Sequence, residues 1–149
     1  MNISGIIYDS VVDGEGIRNT IFVSGCLHMC RNCHNPQTWD FDYGYEFTEE
    51  KQNEFIERCK KNPLLDGITV SGGDPIYSSK ELIPFLIKYK KENPIHTIWL
   101  YTGFKYEDIK NNEILKLVDV LVDGEYIEEL RDITLAFRGS KNQRIIRLS

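Results

Sequence analysis

The chain has 149 residues, 41% hydrophobic and 28% charged, which suits one soluble globular domain and leaves no room for a second catalytic one. Its net charge of −5 argues against nucleic acid as a partner, since phosphate binding needs a basic surface. No apolar stretch approaches the roughly 20 residues that cross a bilayer, so no membrane is expected, and Met1–Ser10 carry no secretory leader, which with reduced thiols points to the cytoplasm.

Runs of Ile, Val and Leu alternate with longer amphipathic stretches. Strands are predicted at Ile3–Tyr8, Arg18–Ser24, Gly67–Ser71, Thr97–Tyr101, Val118–Val122 and Arg144–Leu148. Several are nearly continuous apolar runs, as in strands covered on both faces of a parallel sheet. Thr48 is placed to cap a helix with Glu49 and Glu50 in its first turn, where acids complement the dipole. Ser78 and Glu81 spell a capping box for a helix ending near Lys91, and Pro84 should kink that helix or push its start later. A shorter helix is expected near Tyr106–Leu117. Repeated strand–helix units imply right-handed crossovers, and four or five units are too few to close an eightfold barrel. The expected fold is α/β, an open partial (βα) barrel with a mostly parallel sheet, in a single domain over residues 1–149.

Such sheets gather their active residues at the C-terminal ends of the strands. Cys26, Gly72-Gly73-Asp74, Thr102-Gly103 and Asp123-Gly124 fall at four successive ends. Cys26, Cys30 and Cys33 stand in the spacing C-x3-C-x2-C. Three thiolates hold three corners of a cubane iron–sulfur cluster and leave the fourth iron open to an outside ligand. A Cys3His zinc site with His28 or His34 is the other reading, and would make the chain a zinc-stapled interaction domain. Zinc sites usually pair two short knuckles, however, and no second one is present. Cys59 shares a helical face with Phe55 and Ile56, so it reads as a buried small residue. Gly72 and Gly73 permit φ > 0 and close approach of a ligand, and Asp74 can accept a hydrogen bond from an ammonium group. Taken alone, Gly-Gly-Asp-Pro is also a common turn.

The cysteine spacing resembles that of the radical S-adenosylmethionine (SAM) enzymes. Val70-Ser71-Gly72-Gly73-Asp74-Pro75, one unit later, resembles their motif for the SAM amino group, with Asp74 one methylene shorter than the usual Glu. Asp13-Gly14-Glu15-Gly16-Ile17-Arg18, leading through Asn19–Gly25 to Cys26, is similar to the N-terminal signature of glycyl-radical-enzyme activases, where Pro is common in place of Glu15. Val118–Gly124 and Phe137–Arg144 resemble the branch of that family acting on anaerobic ribonucleoside-triphosphate reductase. The similar elements spread from residue 13 to residue 144.

The resemblance implies a partial barrel of the radical SAM type and one 4Fe-4S cluster per chain, held by Cys26, Cys30 and Cys33. It implies SAM on the open iron, contacted by Asn32, Cys33, His34, Gly72, Gly73 and Asp74. Asn32 stands where an aromatic residue is common, which leaves the backbone to meet the adenine edge. No catalytic side chain is implied beyond the cluster-bound cofactor. The implied chemistry is one-electron cleavage of SAM to a 5′-deoxyadenosyl radical, which abstracts Cα–H from a glycine on the large subunit of the reductase. A low-potential donor such as flavodoxin or ferredoxin would supply the electron. An activase of the pyruvate formate-lyase type and a small nucleobase-modifying synthase are alternatives, although their larger relatives usually carry more barrel units.

Several roles stay open at this point. Asp13, Glu15 and Arg18 read as shaping or gating the opening, with a structural ion pair as the second reading of Arg18. Thr102 and Asp123 read as cofactor-positioning or turn residues. The basic residues Arg131, Arg138, Lys141, Arg144 and Arg147 read as a solvated tail or as a docking surface.

Overall fold

The computed structural model describes residues 1–26 and 40–149. In chain order the elements are β1 (Asn2–Ser10), β2 (Arg18–Val23), β3 (Tyr45–Glu46), α1 (Glu49–Lys61), β4 (Gly67–Gly72), α2 (Ser79–Glu92), β5 (Thr97–Tyr101), α3 (Tyr106–Ile109), β6 (Val120–Asp123) and β7 (Arg144–Arg147). Short 3₁₀ turns cover Pro75–Ser78, Glu113–Leu117 and Glu128–Leu130. The strands form one seven-stranded sheet in the order β3-β1-β2-β4-β5-β6-β7.

Its centre is parallel, β2 with β4, β4 with β5 and β5 with β6. Its edges are not. β1 runs antiparallel to β2 and β3, and β7 antiparallel to β6. The sheet is therefore mixed, and the expectation of a mostly parallel one holds for the centre only. Connection length is the reason. Residues 11–17 are too few for a crossover, which needs about a dozen residues. The chain between β6 and β7 holds one 3₁₀ turn and no longer helix to carry it back over the sheet.

Alternation along the central strands sorts the two faces. Ile21, Val23, Ile68, Val70, Ile98, Leu100 and Leu121 are fully buried and meet α1, α2 and the Glu113–Leu117 turn in one core that includes Phe55, Phe85 and Tyr89. The intervening residues point the other way. There Trp99, Val120 and Val122 form a small second cluster with Tyr101, Phe137 and Ile145. The helices thus cover one face and leave the other to loops.

Local signals explain most element boundaries. Thr48 Oγ1 accepts from Lys51 N at 3.2 Å and starts α1 as expected. Ser78 makes no side-chain cap, because the Pro75–Ser78 turn leads into α2 and Asp74 caps that turn instead. Pro84 lies inside α2, which starts at Ser79 directly after Ser78, where the capping-box spacing puts it, so the proline does not push the start later. The helix expected over Tyr106–Leu117 is split, since Asn112 accepts from Ile114 N at 3.0 Å and begins a new turn. Asn competes with helical hydrogen bonding and favours caps.

Candidate functional site

A cavity of about 610 Å³ opens on the helix-free face at the C-terminal ends of the central strands. That volume lies within the range of small-molecule sites. Its walls are Phe22 in β2 and Cys26 after it, Ser71–Asp74 at β4, Tyr101–Gly103 at β5 and Gly124 after β6. Two loops cross it, carrying Val11–Asp13 on one side and Leu135–Gly139 on the other. The cavity brings together Cys26, Gly72, Gly73 and Asp74. The other expected site residues, Cys30, Asn32, Cys33 and His34, lie outside the described residues, as does His28.

Two backbone hydrogen bonds fix the root of the cysteine segment against the Gly-Gly-Asp turn. Gly73 N donates to Val23 O, and Asp74 N donates to Gly25 O, each at 2.8 Å. Cys26 itself is buried. Gly72 has φ of 108°, and a Cβ there would collide with the Val23 backbone. The close approach of β4 to β2 therefore demands this glycine before any ligand does.

Asp74 is wholly buried and surrounded by donors from its own chain. The Thr102 hydroxyl donates to it at 2.9 Å, Gly103 N at 2.8 Å and Ile76 N at 3.1 Å. Thr102 Oγ1 in turn accepts from Phe104 N at 3.1 Å. Asp74 thus clamps the ends of β4 and β5, and Thr102 acts through it.

Asp123 takes a different role from the cofactor-positioning one considered for it. It is buried, accepts from Arg144 Nε at 3.0 Å and from Tyr106 N at 2.7 Å, and does not line the cavity. Arg144 also meets Glu107 at 2.8 Å. This junction ties β7 and the start of α3 to the end of β6.

Arg18 does not line the cavity and makes no ion pair among the described residues. Its side chain is buried at the N-terminal ends of the strands, away from the cavity mouth. Nε donates to Thr69 Oγ1 at 3.0 Å, Nη1 to Glu15 O at 3.0 Å, and Nη2 to Ile68 O at 2.9 Å and Thr97 O at 2.5 Å. The guanidinium also lies 5.7 Å from the centroid of the Trp99 ring. Burial pulls its pKa down to about 10, so it stays charged at neutral pH. Glu15 pairs with Arg147 instead, and Asp13, on the cavity wall, accepts from Ser10 Oγ at 2.8 Å.

The polar run before β7 forms a hydrogen-bonded clasp. Ser140, fully buried, donates to Asn142 Oδ1 at 2.6 Å and accepts from Ile127 N at 3.2 Å. Asn142 donates to Glu125 O at 2.8 Å. Gln143 accepts from Gly139 N and Ser140 N and donates to Gly124 O at 3.0 Å. The preceding Phe137 packs edge-on against Trp99, with ring centroids 5.4 Å apart. Sequence reasoning missed Tyr101, Tyr126 and Leu135 as cavity walls. Burial and the nearby Asp13 charge both push the Tyr101 phenol upward, so it stays protonated in the cavity.

Comparison with known proteins gives one consistent picture. The family model of the 4Fe-4S single cluster domain matches residues 12–146. A protein of Enterobacteria phage T4 is 42% identical over 147 residues, covering 97% of this chain and 93% of its own length. One from Haemophilus influenzae is 39% identical over 142 residues, with 92% of each chain covered. One from Escherichia coli K12 is 35% identical over 138 residues, with 89% and 90% covered. All three bear the name anaerobic ribonucleoside-triphosphate reductase-activating protein.

Proposed function

The chain belongs to the family of anaerobic ribonucleoside-triphosphate reductase-activating proteins, and on that premise we propose that it is a radical SAM activase that installs a glycyl radical on such a reductase. In this reading the sheet, with helices on one face, is an open partial (βα) barrel in a single domain. Cys26, Cys30 and Cys33 hold the 4Fe-4S cluster. Gly72, Gly73 and Asp74, with Asn32, Cys33 and His34, receive SAM. The site residues available for this fit suit the groups: a buried thiol opens onto a cavity of small-molecule size, and the Gly-Gly-Asp turn is bonded to the root of the cysteine segment.

The observation that carries the proposal is that Cys26 and Gly72–Asp74 line one cavity on the uncovered face. Bound together, the cluster and SAM supply one-electron cleavage of the sulfonium, which ends in methionine and 5′-deoxyadenosine once a hydrogen atom has left the glycine Cα. The protein's own part is to orient and to exclude water. The Asp74–Thr102 clamp fixes the far wall, and the loops bearing Val12 and Leu135 frame an opening through which a segment of the reductase enters. The electron comes from a low-potential donor of the flavodoxin or ferredoxin class. The reaction takes place in the cytoplasm without nucleic acid or membrane; no helix among the described residues is long and apolar enough to cross a bilayer.

Anaerobic reconstitution tests the reading. The expected result is a brown protein with about four irons per chain, formation of 5′-deoxyadenosine from SAM and reductant, and a glycyl radical signal by electron paramagnetic resonance when the reductase is added. A colourless protein holding one zinc would overturn it in favour of an interaction domain. Cleavage of SAM without a radical on the reductase would point to a different glycyl radical enzyme or to a nucleobase substrate.

A further inference from the structure

The clasp before β7 uses nearly all of its polar side chains internally. Ser140, Asn142 and Gln143 hydrogen-bond to the chain after β6, and Arg144 pairs with Asp123 and Glu107. Arg138 stands apart. Its Nε reaches Ala136 O at 3.3 Å and its Nη1 reaches Gln143 O at 3.5 Å, two long contacts to neutral carbonyls of its own loop. No carboxylate pairs with it among the described residues. It nevertheless lines the cavity that Cys26 and Gly72–Asp74 share.

The residue before it is equally unusual. Phe137 has φ of 59°, a left-handed conformation that bulky side chains rarely adopt. Its ring is held against Trp99 and its loop is pinned by Gln143 on the far side, so the surroundings over-determine this turn. The fold therefore keeps an arginine in the cavity lining, its guanidinium held only by the Ala136 and Gln143 carbonyls, with backbone strain beside it.

The charge balance of the wall shows what that cation is for. The acids on the wall are Asp74, which accepts from Thr102, Gly103 and Ile76, and Asp13, which accepts from Ser10. Neither bonds Arg138. A ligand entering the cavity meets an arginine whose charge no carboxylate among the described residues neutralises. Guanidinium matches a carboxylate in a two-pronged hydrogen bond. SAM carries a single anionic group, the α-carboxylate of its methionine end.

We propose that Arg138 binds the α-carboxylate of SAM and so selects the zwitterionic amino-acid end of the cofactor. This rests on the functional reading above. Asp74 and its turn then face the ammonium side of the same end, and the two loops grip it from opposite walls.

The test compares two ligands on one protein. Binding of SAM and of decarboxylated SAM is measured by equilibrium dialysis on anaerobically reconstituted wild type, Arg138→Gln and Arg138→Lys, with iron content and thermal melting as folding controls. Arg138→Gln should lose about ten- to a hundredfold in affinity for SAM, as for a lost charged hydrogen bond. Its affinity for decarboxylated SAM should stay within about threefold. Arg138→Lys keeps the charge without the fork and should lie between; if the Gln variant does not fold, the Lys variant decides by the same ratio. Equal losses for both ligands, or no loss for either, would overturn the assignment. Normal SAM binding with weakened activation of the reductase would overturn it too and give Arg138 to the partner interface. A wild type that binds neither ligand would overturn the functional reading itself.

Discussion

The Thr102 hydroxyl at the end of β5 lies 2.9 Å from Asp74 Oδ1 and 3.0 Å from Oδ2 at the end of β4. A wholly buried carboxylate needs such donors, because burial without them is costly. The bond also fixes the spacing of two cavity walls. Thr102→Val keeps the shape and removes the donor, leaving Asp74 with Gly103 N and Ile76 N. Stability should fall by about 1–3 kcal/mol, read from urea melts, and SAM affinity should weaken while iron content stays the same. An unchanged urea midpoint would mean that the hydroxyl contributes nothing to the clamp.

Gly72 and its neighbour Gly73 should separate under substitution. A methyl group at Gly72 meets the Val23 backbone and sits at φ of 108°, so Gly72→Ala strains the fold itself. The expected cost is about 3 kcal/mol or more, combining backbone strain with displacement of a packed strand. Gly73→Val, in contrast, should keep the iron and lose SAM affinity. Thermal melts with iron and SAM titrations on both variants test this. Equal stability of Gly72→Ala and wild type would remove the strand-approach argument.

Much of this arrangement was legible in the chain, for identifiable reasons. Ile and Val runs marked β2 and β4–β6 because those strands are largely buried, whereas β1 and β7 are only partly buried and showed through a few residues such as Ile3, Ile145 and Ile146. The two-residue β3 has exposed Tyr45 and Glu46 and leaves no apolar signal. Strand direction at the edges was not legible, since alternation is the same either way and only connection lengths carry it. Cys26 and Gly72–Asp74 could be placed together because they follow adjacent parallel strands. The bond from Thr102 to Asp74 spans 28 residues and has no local pattern. The partners of Arg18 were not legible for a similar reason: Thr69 and the carbonyls of Ile68 and Thr97 that hold it are at least 50 residues away in the chain.

The Arg144 junction predicts a specific response to acid. Asp123 is buried while Arg144 is about half exposed, with side-chain exposures of 1% and 47%. Arg144→Met should cost about 2 kcal/mol, below the range for fully buried pairs because solvent screens the arginine. The Arg144 hydrogen bond also holds Glu107 below the usual carboxylate range. A depressed folded pKa gives stability that is complete above the unfolded value, about 4.3, and is lost as pH falls through the folded one. The gap between wild type and Arg144→Met in urea melts should therefore narrow from pH 6 to pH 3. A gap that stays constant would show that Arg144 stabilises through packing alone.

The two described cysteines should behave as opposites. Cys59 is fully buried, accepts a hydrogen bond from Asn19 Nδ2 at 3.2 Å, and burial pushes its thiol up to about 11. Between the ordinary thiol value and that one, the unfolded chain gives up this proton while the folded chain keeps it. Cys59 should therefore make stability fall as pH rises across that window, and Cys59→Ala should remove that part of the slope. The variant should lose about 1–2 kcal/mol at neutral pH through the missing sulfur, keep its iron and still cleave SAM. In the wild type, iodoacetamide at pH 8 should leave Cys59 unmodified until urea is added, because the thiolate is the reactive form. Cys26→Ala should instead keep most of the stability and lose both iron and SAM cleavage. Mass spectrometry, iron assay and 5′-deoxyadenosine formation decide the matter. An iron-free Cys59→Ala beside an active Cys26→Ala would reverse the ligand assignment.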